Sequence, residues 1–151
     1  MTEVSFYHLE SIGLELALPR LIEKALAQGL QTLVIAETEE RVASLNSALW
    51  TYDPNSFLPH GSAEDGPANE QPVYLTTHDE NPNGAEMVVI VDGASISDLT
   101  PFRRVLDLFD GKDLEAVKAA RKRWSMFKEA GHSLTYWRQM PDGSWSKKAP
   151  K

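Results

Sequence analysis

MVVIV, residues 87–91, is a run of five apolar residues, four of them β-branched, and it ends at the turn pair Asp92-Gly93. Apolar residues at every position, with no polar alternation, indicate a strand that is covered on both faces. A second run, TLVIA at residues 32–36, has the same character after its opening threonine. Strands of this kind occur in parallel sheets flanked by helices, so the two runs indicate an α/β fold.

Helices and further strands are predicted around these two runs. Apolar residues at helical spacing occupy residues 14–28, and Gly29 is typical of a helix end. Thr38 is a typical N-cap for a second helical pattern at 39–50. The other predicted elements are strands at 4–7 and 72–75, helices at 101–109 and 112–129, and a hairpin of 134–137 with 144–145.

The helix predicted at 101–109 depends on two signals. Thr100 and Pro101 are typical of a cap and a first helical position. The apolar residues that follow are spaced as one face of a helix: Phe102, Val105, Leu106 and Phe109.

These elements predict a single α/β domain over residues 1–145. We expect a mainly parallel, Rossmann-like sheet with helices on both faces and a C-terminal hairpin. The basic segment 146–151 is expected to be a disordered tail.

Charge is distributed unevenly along the 151 residues. Residues 1–111 carry 5 Lys or Arg against 18 Asp or Glu, a net charge of −13; residues 112–151 carry 10 against 4, a net charge of +6. A basic patch on an acidic body suits an anionic partner. It disfavours extensive coating of nucleic acid, so we expect weak direct contact with nucleic acid at most.

Composition also limits the chemistry and the location. The chain has no cysteine, which excludes disulfides and thiolate metal sites. The N-terminal residues lack the basic and apolar segments of a signal peptide, and no apolar run is long enough to cross a membrane. We therefore expect a cytoplasmic protein without membrane contact.

No motif predicts a cofactor or a metal. The phosphate-binding patterns GxxxxGK[ST] and GxGxxG do not occur, and the four histidines lack metal-ligand spacing. One enzymatic alternative stays open, because loops after buried strands are common sites in α/β folds. It is a small nucleotide-binding or hydrolytic α/β enzyme that uses the loops near Asp92 and His60.

The last predicted helix carries two adjacent stripes. Its apolar stripe consists of Val117, Ala120, Trp124 and Phe127, and the basic stripe beside it consists of Lys118, Arg121, Lys122 and Lys128. An amphipathic helix with a solvated basic edge accounts for this pattern. A more specific hypothesis is that the seam between the stripes binds a ligand with acidic and aromatic parts, because arginine grips carboxylates and Trp124 offers a flat apolar wall.

Trp50 and Phe57 flank residues 52–56, which have the composition of a turn. Large aromatic side chains beside a loop suit a protein–protein interface. They suit the core of the domain equally well, and both interpretations stay open at this point.

An ordered set of residues across most of the chain resembles the chi subunit of bacterial DNA polymerase III holoenzyme. The set is Phe6, Tyr7, Leu45, Ala48, Leu49, Trp50, Ser56, Phe57, Pro59, His60, Gly66, Pro67, Arg121, Trp124, Ala130 and Gly131. The resemblance implies a non-catalytic adaptor that binds the acidic, phenylalanine-ending tail of single-stranded-DNA-binding protein and links it to the clamp-loader assembly.

The resemblance also assigns site residues. Arg121 and Trp124 fall on the basic and aromatic positions that bind the tail, and the neighbouring members of the predicted tail site are Val117, Lys118, Lys122 and Lys128. Val117 and Ser125 stand where other members carry lysine, so the three lysines of this chain are expected to supply that charge. A second site, for the psi subunit or a helicase, is implied at Trp50, Phe57, Pro59 and His60.

Overall fold

The computed structural model describes most of the chain. The described residues are 2–10, 13–51, 72–78, 80–81, 84–94, 96, 99, 101–142 and 144–148, without the side chains of Trp50 and Lys148. The elements are β1 (Glu3–Leu9), α1 (Leu14–Ala27), β2 (Thr32–Ile35), α2 (Glu39–Thr51), β3 (Val73–Thr76), β4 (Met87–Val91), β5 (Arg104–Asp110), α3 (Leu114–Glu129), β6 (Ser133–Gln139) and β7 (Trp145–Lys148).

Seven strands form one sheet in the order β3-β2-β4-β5-β1-β6-β7. Every neighbouring pair is parallel except the antiparallel hairpin β6–β7. Helices α1 and α2 pack on one face of the sheet, and α3 packs on the other. Each face has one hydrophobic core between the sheet and its helices. The predicted α/β fold with helices on both faces and a C-terminal hairpin is confirmed.

Local signals explain where the helices begin and end. The Thr38 hydroxyl accepts a hydrogen bond of 3.1 Å from the backbone N–H of Arg41, so Thr38 caps the start of α2 as predicted. Gly29 and Gly131 follow α1 and α3 with φ of 76° and 87°. Glycine adopts this left-handed conformation without steric cost, which suits the residue after a helix.

The helix predicted at 101–109 is wrong, because residues 104–110 form β5 between β1 and β4. Val105 and Phe109 face the core beneath α3, whereas Leu106 and Leu108 face the core beneath α1. In a strand buried on both faces, apolar residues occur in consecutive positions, and some of these also match a helical spacing. Parallel pairing on both sides of β5 overrides the local cap signal.

The hairpin is longer than the sequence indicates. β7 runs from Trp145 to Lys148, and Ser146 and Lys147 pair with Arg138 and Trp137 of β6. The predicted boundary of the tail at residue 146 therefore lies three residues too early. Residues 149–151 lie outside the described residues.

Candidate partner-binding site on helix α3

α3 is held on the sheet by two buried side chains, and its start is defined by an N-cap. The Asp113 carboxylate accepts a hydrogen bond of 3.0 Å from the N–H of Glu115, which satisfies one free donor at the start of the helix. Ala120 and Phe127 are buried in the core beneath the helix. These contacts fix the two predicted stripes of α3 relative to the sheet.

Trp124 lies at the edge of this core and is half-buried. Its ring meets Phe6 of β1 nearly edge-on at 5.4 Å between ring centroids, and it meets Tyr136 of β6 at 6.0 Å. Val117, also half-buried, packs against the same core. The two residues form the partly exposed rim of the apolar stripe, which is the position that the seam hypothesis requires.

The basic stripe is exposed along its length. Lys118 lies 3.8 Å from the Glu115 carboxylate, an ion pair within the helix. In the part of the chain that the structure describes, the other three cations have no carboxylate within ion-pair distance, and these are Arg121, Lys122 and Lys128. Their charge is therefore available to an anionic partner.

Tyr136 lies beside the candidate site and was not predicted from the sequence. Burial raises the pKa of its hydroxyl, and the Arg121 and Arg138 guanidiniums act in the opposite direction. Arg121 and Trp124 are three residues apart on α3, so their side chains lie on neighbouring turns of one face. The Trp124 ring in turn contacts Tyr136, with 6.0 Å between ring centroids. The position of Tyr136 in the strand was the available signal: Leu134 and Tyr136 are two residues apart in β6, so both side chains lie on the face of the sheet that packs against α3.

Arg123 differs from the other cations of α3. It forms a bidentate ion pair with Asp107 of β5, with distances of 2.6 Å between Nε and Oδ2 and 2.9 Å between Nη2 and Oδ1. Burial raises the pKa of Asp107, and the guanidinium opposes that effect. Asp107 is fully buried. Arg123 therefore anchors α3 to the sheet.

Asp92, the centre of the enzymatic alternative, is engaged in a structural ion pair. Its carboxylate lies 2.6 Å from Nε of Arg41, whose Nη1 lies 2.7 Å from Glu15. The adjoining cavity of about 280 Å³ is also lined by Glu10 and Asp110. Several carboxylates at one opening repel phosphate groups, so this arrangement does not favour a nucleotide.

The described residues contain neither a metal-binding cluster nor a helix suited to cross a membrane. In this part of the chain, no three His, Cys, Asp or Glu side chains are grouped in a way that would hold a metal ion. Nor does a described helix combine the length and the continuous apolar character that crossing a membrane requires.

The second predicted site falls almost wholly outside the described residues. Trp50 lies in the last turn of α2, and its side chain is not described. Phe57, Pro59 and His60 lie between α2 and β3, outside the described residues. This site stays a prediction.

Comparison with known proteins identifies the family. A family model described as DNA polymerase III chi subunit, HolC, matches residues 1–135. The chain belongs to the DNA polymerase III chi subunit family. The resemblance inferred from the sequence is confirmed, and membership makes the protein an accessory subunit in DNA replication that associates with other components of the polymerase III holoenzyme.

Individual chi subunits from three bacteria are similar over most of their length. The probable DNA polymerase III subunit chi of Rickettsia prowazekii is 30% identical over 154 residues, covering 97% of this chain and 92% of the relative. The DNA polymerase III subunit chi of Escherichia coli is 29% identical over 107 residues, covering 70% and 72%. The subunit chi of Pseudomonas aeruginosa is 28% identical over 137 residues, covering 89% and 94%.

Proposed function

We propose that this protein is a non-catalytic adaptor that links the clamp-loader assembly to single-stranded-DNA-binding protein by binding its acidic C-terminal tail at the seam of α3. The observation that carries the proposal is that exposed Arg121 lies one helical turn from Trp124, whose ring contacts Tyr136, beside further exposed cations of α3. We assign no catalytic residue, cofactor or metal. We also propose a cytoplasmic location, which suits a role in DNA replication.

The chemistry of such a tail matches the seam group by group. A terminal carboxylate needs a guanidinium, and Arg121 is exposed and has no carboxylate partner among the described residues. The terminal phenylalanine ring needs an apolar wall, which Trp124, Val117 and Tyr136 provide. The preceding aspartates need diffuse positive charge, which Lys118, Lys122 and Lys128 supply from the same helix.

Calorimetric titration with two peptides tests this assignment. Arg121→Ala should weaken binding of the tail peptide by about 1.5–3 kcal/mol, because it removes a charge-assisted hydrogen bond. Deleting the peptide's terminal phenylalanine should cost about as much, and the two losses should not add, since they remove one shared contact. Lys122→Ala should cost less and act through the salt dependence of association.

Arg103→Ala is the matched control. Arg103 is exposed, does not belong to α3 and pairs with Glu86 at 3.1 Å, so its loss should leave the titration unchanged. Fully additive losses, or wild-type binding by Arg121→Ala, would place the tail elsewhere on the protein.

A second partner is proposed at Trp50, Phe57, Pro59 and His60. Association with other holoenzyme components is a property of the family, and psi or a helicase is the partner implied at these residues. Aromatic side chains beside a turn are suited to serve as anchors of such an interface. The two sites would give the protein one surface for the replication machinery and another for coated DNA.

A further inference from the structure

An apolar groove lies on the sheet face opposite α3, between α1 and the β6–β7 hairpin. Its volume is about 250 Å³. The floor is formed by Tyr7, Met87 and Leu106, and the walls by Leu21 on one side and by Trp137 and Trp145 on the other.

The aromatic residues of this groove hold one another in place. Tyr7 is 8% exposed, and its ring meets Trp145 edge-on at 5.0 Å and stacks with Trp137 at 6.5 Å and 15°. Trp137 and Trp145 stay half-buried, so each keeps an accessible surface. A groove whose walls are already rigid loses little entropy when a ligand enters.

Among the described residues, the groove is lined by two cations, Lys24 and Arg104, and by no carboxylate. Arg104 donates a hydrogen bond of 3.3 Å to Gln28 of α1, and its charge lowers the pKa of Tyr7 against the larger raising effect of burial. Among the described residues, neither Arg104 nor Lys24 is within ion-pair distance of a carboxylate. Glu3 neighbours Arg104 in the strand register but forms no ion pair with it.

A neighbouring cavity shares Leu21, Lys24 and Trp145 with this groove, and it adds one further cation, Arg20, and one carboxylate, Glu23. In a chain with a net charge of −7, this concentration of cations around an apolar groove is complementary to a short acidic segment.

We propose that this groove binds an acidic peptide segment of a partner protein, with one bulky apolar side chain between α1 and the two tryptophans and flanking carboxylates on Arg104 and Lys24. The volume is below the range of about 300–1,000 Å³ that is usual for small-molecule pockets, and it suits one or two side chains. This site is separate from the α3 seam, because the sheet lies between them.

A peptide fits the groove better than the other occupants do. Single-stranded nucleic acid binds along a positively charged groove that follows many phosphates. Here two cations line the groove, and the acidic body would repel a long chain of phosphates. A second copy of this chain would bring another −7 of charge to the contact.

Titration by nuclear magnetic resonance tests the proposal with a small probe, N-acetyl-Asp-Phe-Asp-amide. We expect saturable shifts of the Trp137 and Trp145 indole N–H signals, assigned by single Trp→Phe variants. Arg104→Gln should lower the affinity for the probe about tenfold, which is the effect of losing one charge-assisted hydrogen bond. The probe with Asn in place of Asp should bind weaker by at least the same factor.

Two variants control for position. Arg103→Gln changes the adjacent arginine, which pairs with Glu86, and should bind the probe as wild type does. Arg121→Ala should also leave the indole shifts unchanged, which separates this groove from the α3 seam.

Four results would overturn the proposal. The first is the absence of saturable shifts at both indoles, and the second is equal affinity for the Asp and Asn probes. The third is a stronger effect of oligothymidylate on the same indoles, which would make the groove a nucleic-acid site. Dimerisation in light scattering, reversed by Trp145→Ala, would show instead that a second copy covers it.

Discussion

Asp107 and Arg123 show what one buried ion pair does for a surface helix. The Asp107 carboxylate lies in the middle of β5 with 0% exposure, and both of its oxygens accept hydrogen bonds from the Arg123 guanidinium. Removing one partner leaves the other charge buried and unpaired. The pair therefore fixes where α3 lies on the sheet, and with it the position of the seam.

A double-mutant cycle tests this role. Asp107→Leu and Arg123→Met should each lower the free energy of unfolding by about 3–5 kcal/mol, whereas the double variant should cost much less, because apolar side chains of similar size replace both charges. Urea denaturation followed by circular dichroism measures all four proteins. Additive losses in the double variant would mean that the two charges do not act as a pair.

His8 couples stability to pH at the edge of the same core. Its Nδ1 lies 2.6 Å from the Tyr136 hydroxyl and its Nε2 lies 3.2 Å from Glu10, so a neutral ring that accepts from the tyrosine and donates to the glutamate satisfies both contacts. Burial lowers the pKa of His8, and the Glu10 carboxylate opposes this. Arg138, the other charge facing the ring, lowers the pKa further.

The direction of the pH effect follows from proton binding. In the unfolded chain His8 titrates near its ordinary pKa of about 6.5, so below that pH the unfolded state binds more protons than the folded state. The contribution of His8 to the free energy of unfolding is therefore fully present above about pH 6.5 and is lost as the pH falls below that value. Urea denaturation at several pH values should show a smaller loss for His8→Gln than for wild type. Parallel pH profiles would contradict this.

At the residue scale, the sequence predicted side chains whose role depends on exposure alone. Arg121, Lys122 and Lys128 are exposed on α3 as the helical spacing requires. The prediction from sequence missed roles that depend on contacts between elements far apart in the chain. Tyr136 joins the seam, and Asp107 binds Arg123, because strand pairing brings β5, β1 and β6 together beneath α3.

At the element scale, the same limit explains the error at β5. Residues 32–36 and 87–91 are apolar at nearly every position, too short for a helix, and flanked by turn residues, so their strand character is evident in the sequence. Residues 102–109 follow Thr100 and Pro101 and have a helical spacing of apolar residues, which favoured a helix. They also include Asp107, a charged residue in what proved to be a central strand. The partner that makes Asp107 tolerable in a central strand lies 16 residues away on α3.

α2 carries the element-scale prediction for the second partner. Trp50→Ala should abolish the contact with psi or a helicase, with a loss of about 2 kcal/mol or more, the usual effect of an interface hot spot. Binding of the tail peptide at α3 should be unchanged. Co-purification with each candidate partner measures the first effect, and calorimetry measures the second.

Thr51→Ala is the control on the same helix, since Thr51 is exposed and its hydroxyl donates to the Ser47 carbonyl. If Trp50→Ala unfolds in circular dichroism, Trp50 belongs to the core, and the interface assignment fails. Normal folding with unimpaired partner binding would place the second partner elsewhere.

At the scale of the whole molecule, charge separation governs how the protein meets DNA. Residues 1–111 carry −13 and residues 112–151 carry +6, and the unpaired cations of α3 lie in the second part. A chain of phosphates that reaches α3 is also repelled by the net negative charge of residues 1–111. This arrangement suits the proposed adaptor role, in which the protein would reach single-stranded DNA through the protein that coats the DNA.

Binding to bare single-stranded DNA should therefore be weak and strongly dependent on salt. Contacts by three or four cations of α3 predict a slope of about −2 to −3 in a plot of log K against log salt, since each phosphate contact contributes about −0.7 on single strands. Fluorescence anisotropy with labelled oligothymidylate at several salt concentrations measures the slope, and Lys122→Ala should reduce its magnitude. A tight complex whose affinity is insensitive to salt would reject the adaptor role, because the protein would then bind DNA by stacking and base contacts of its own.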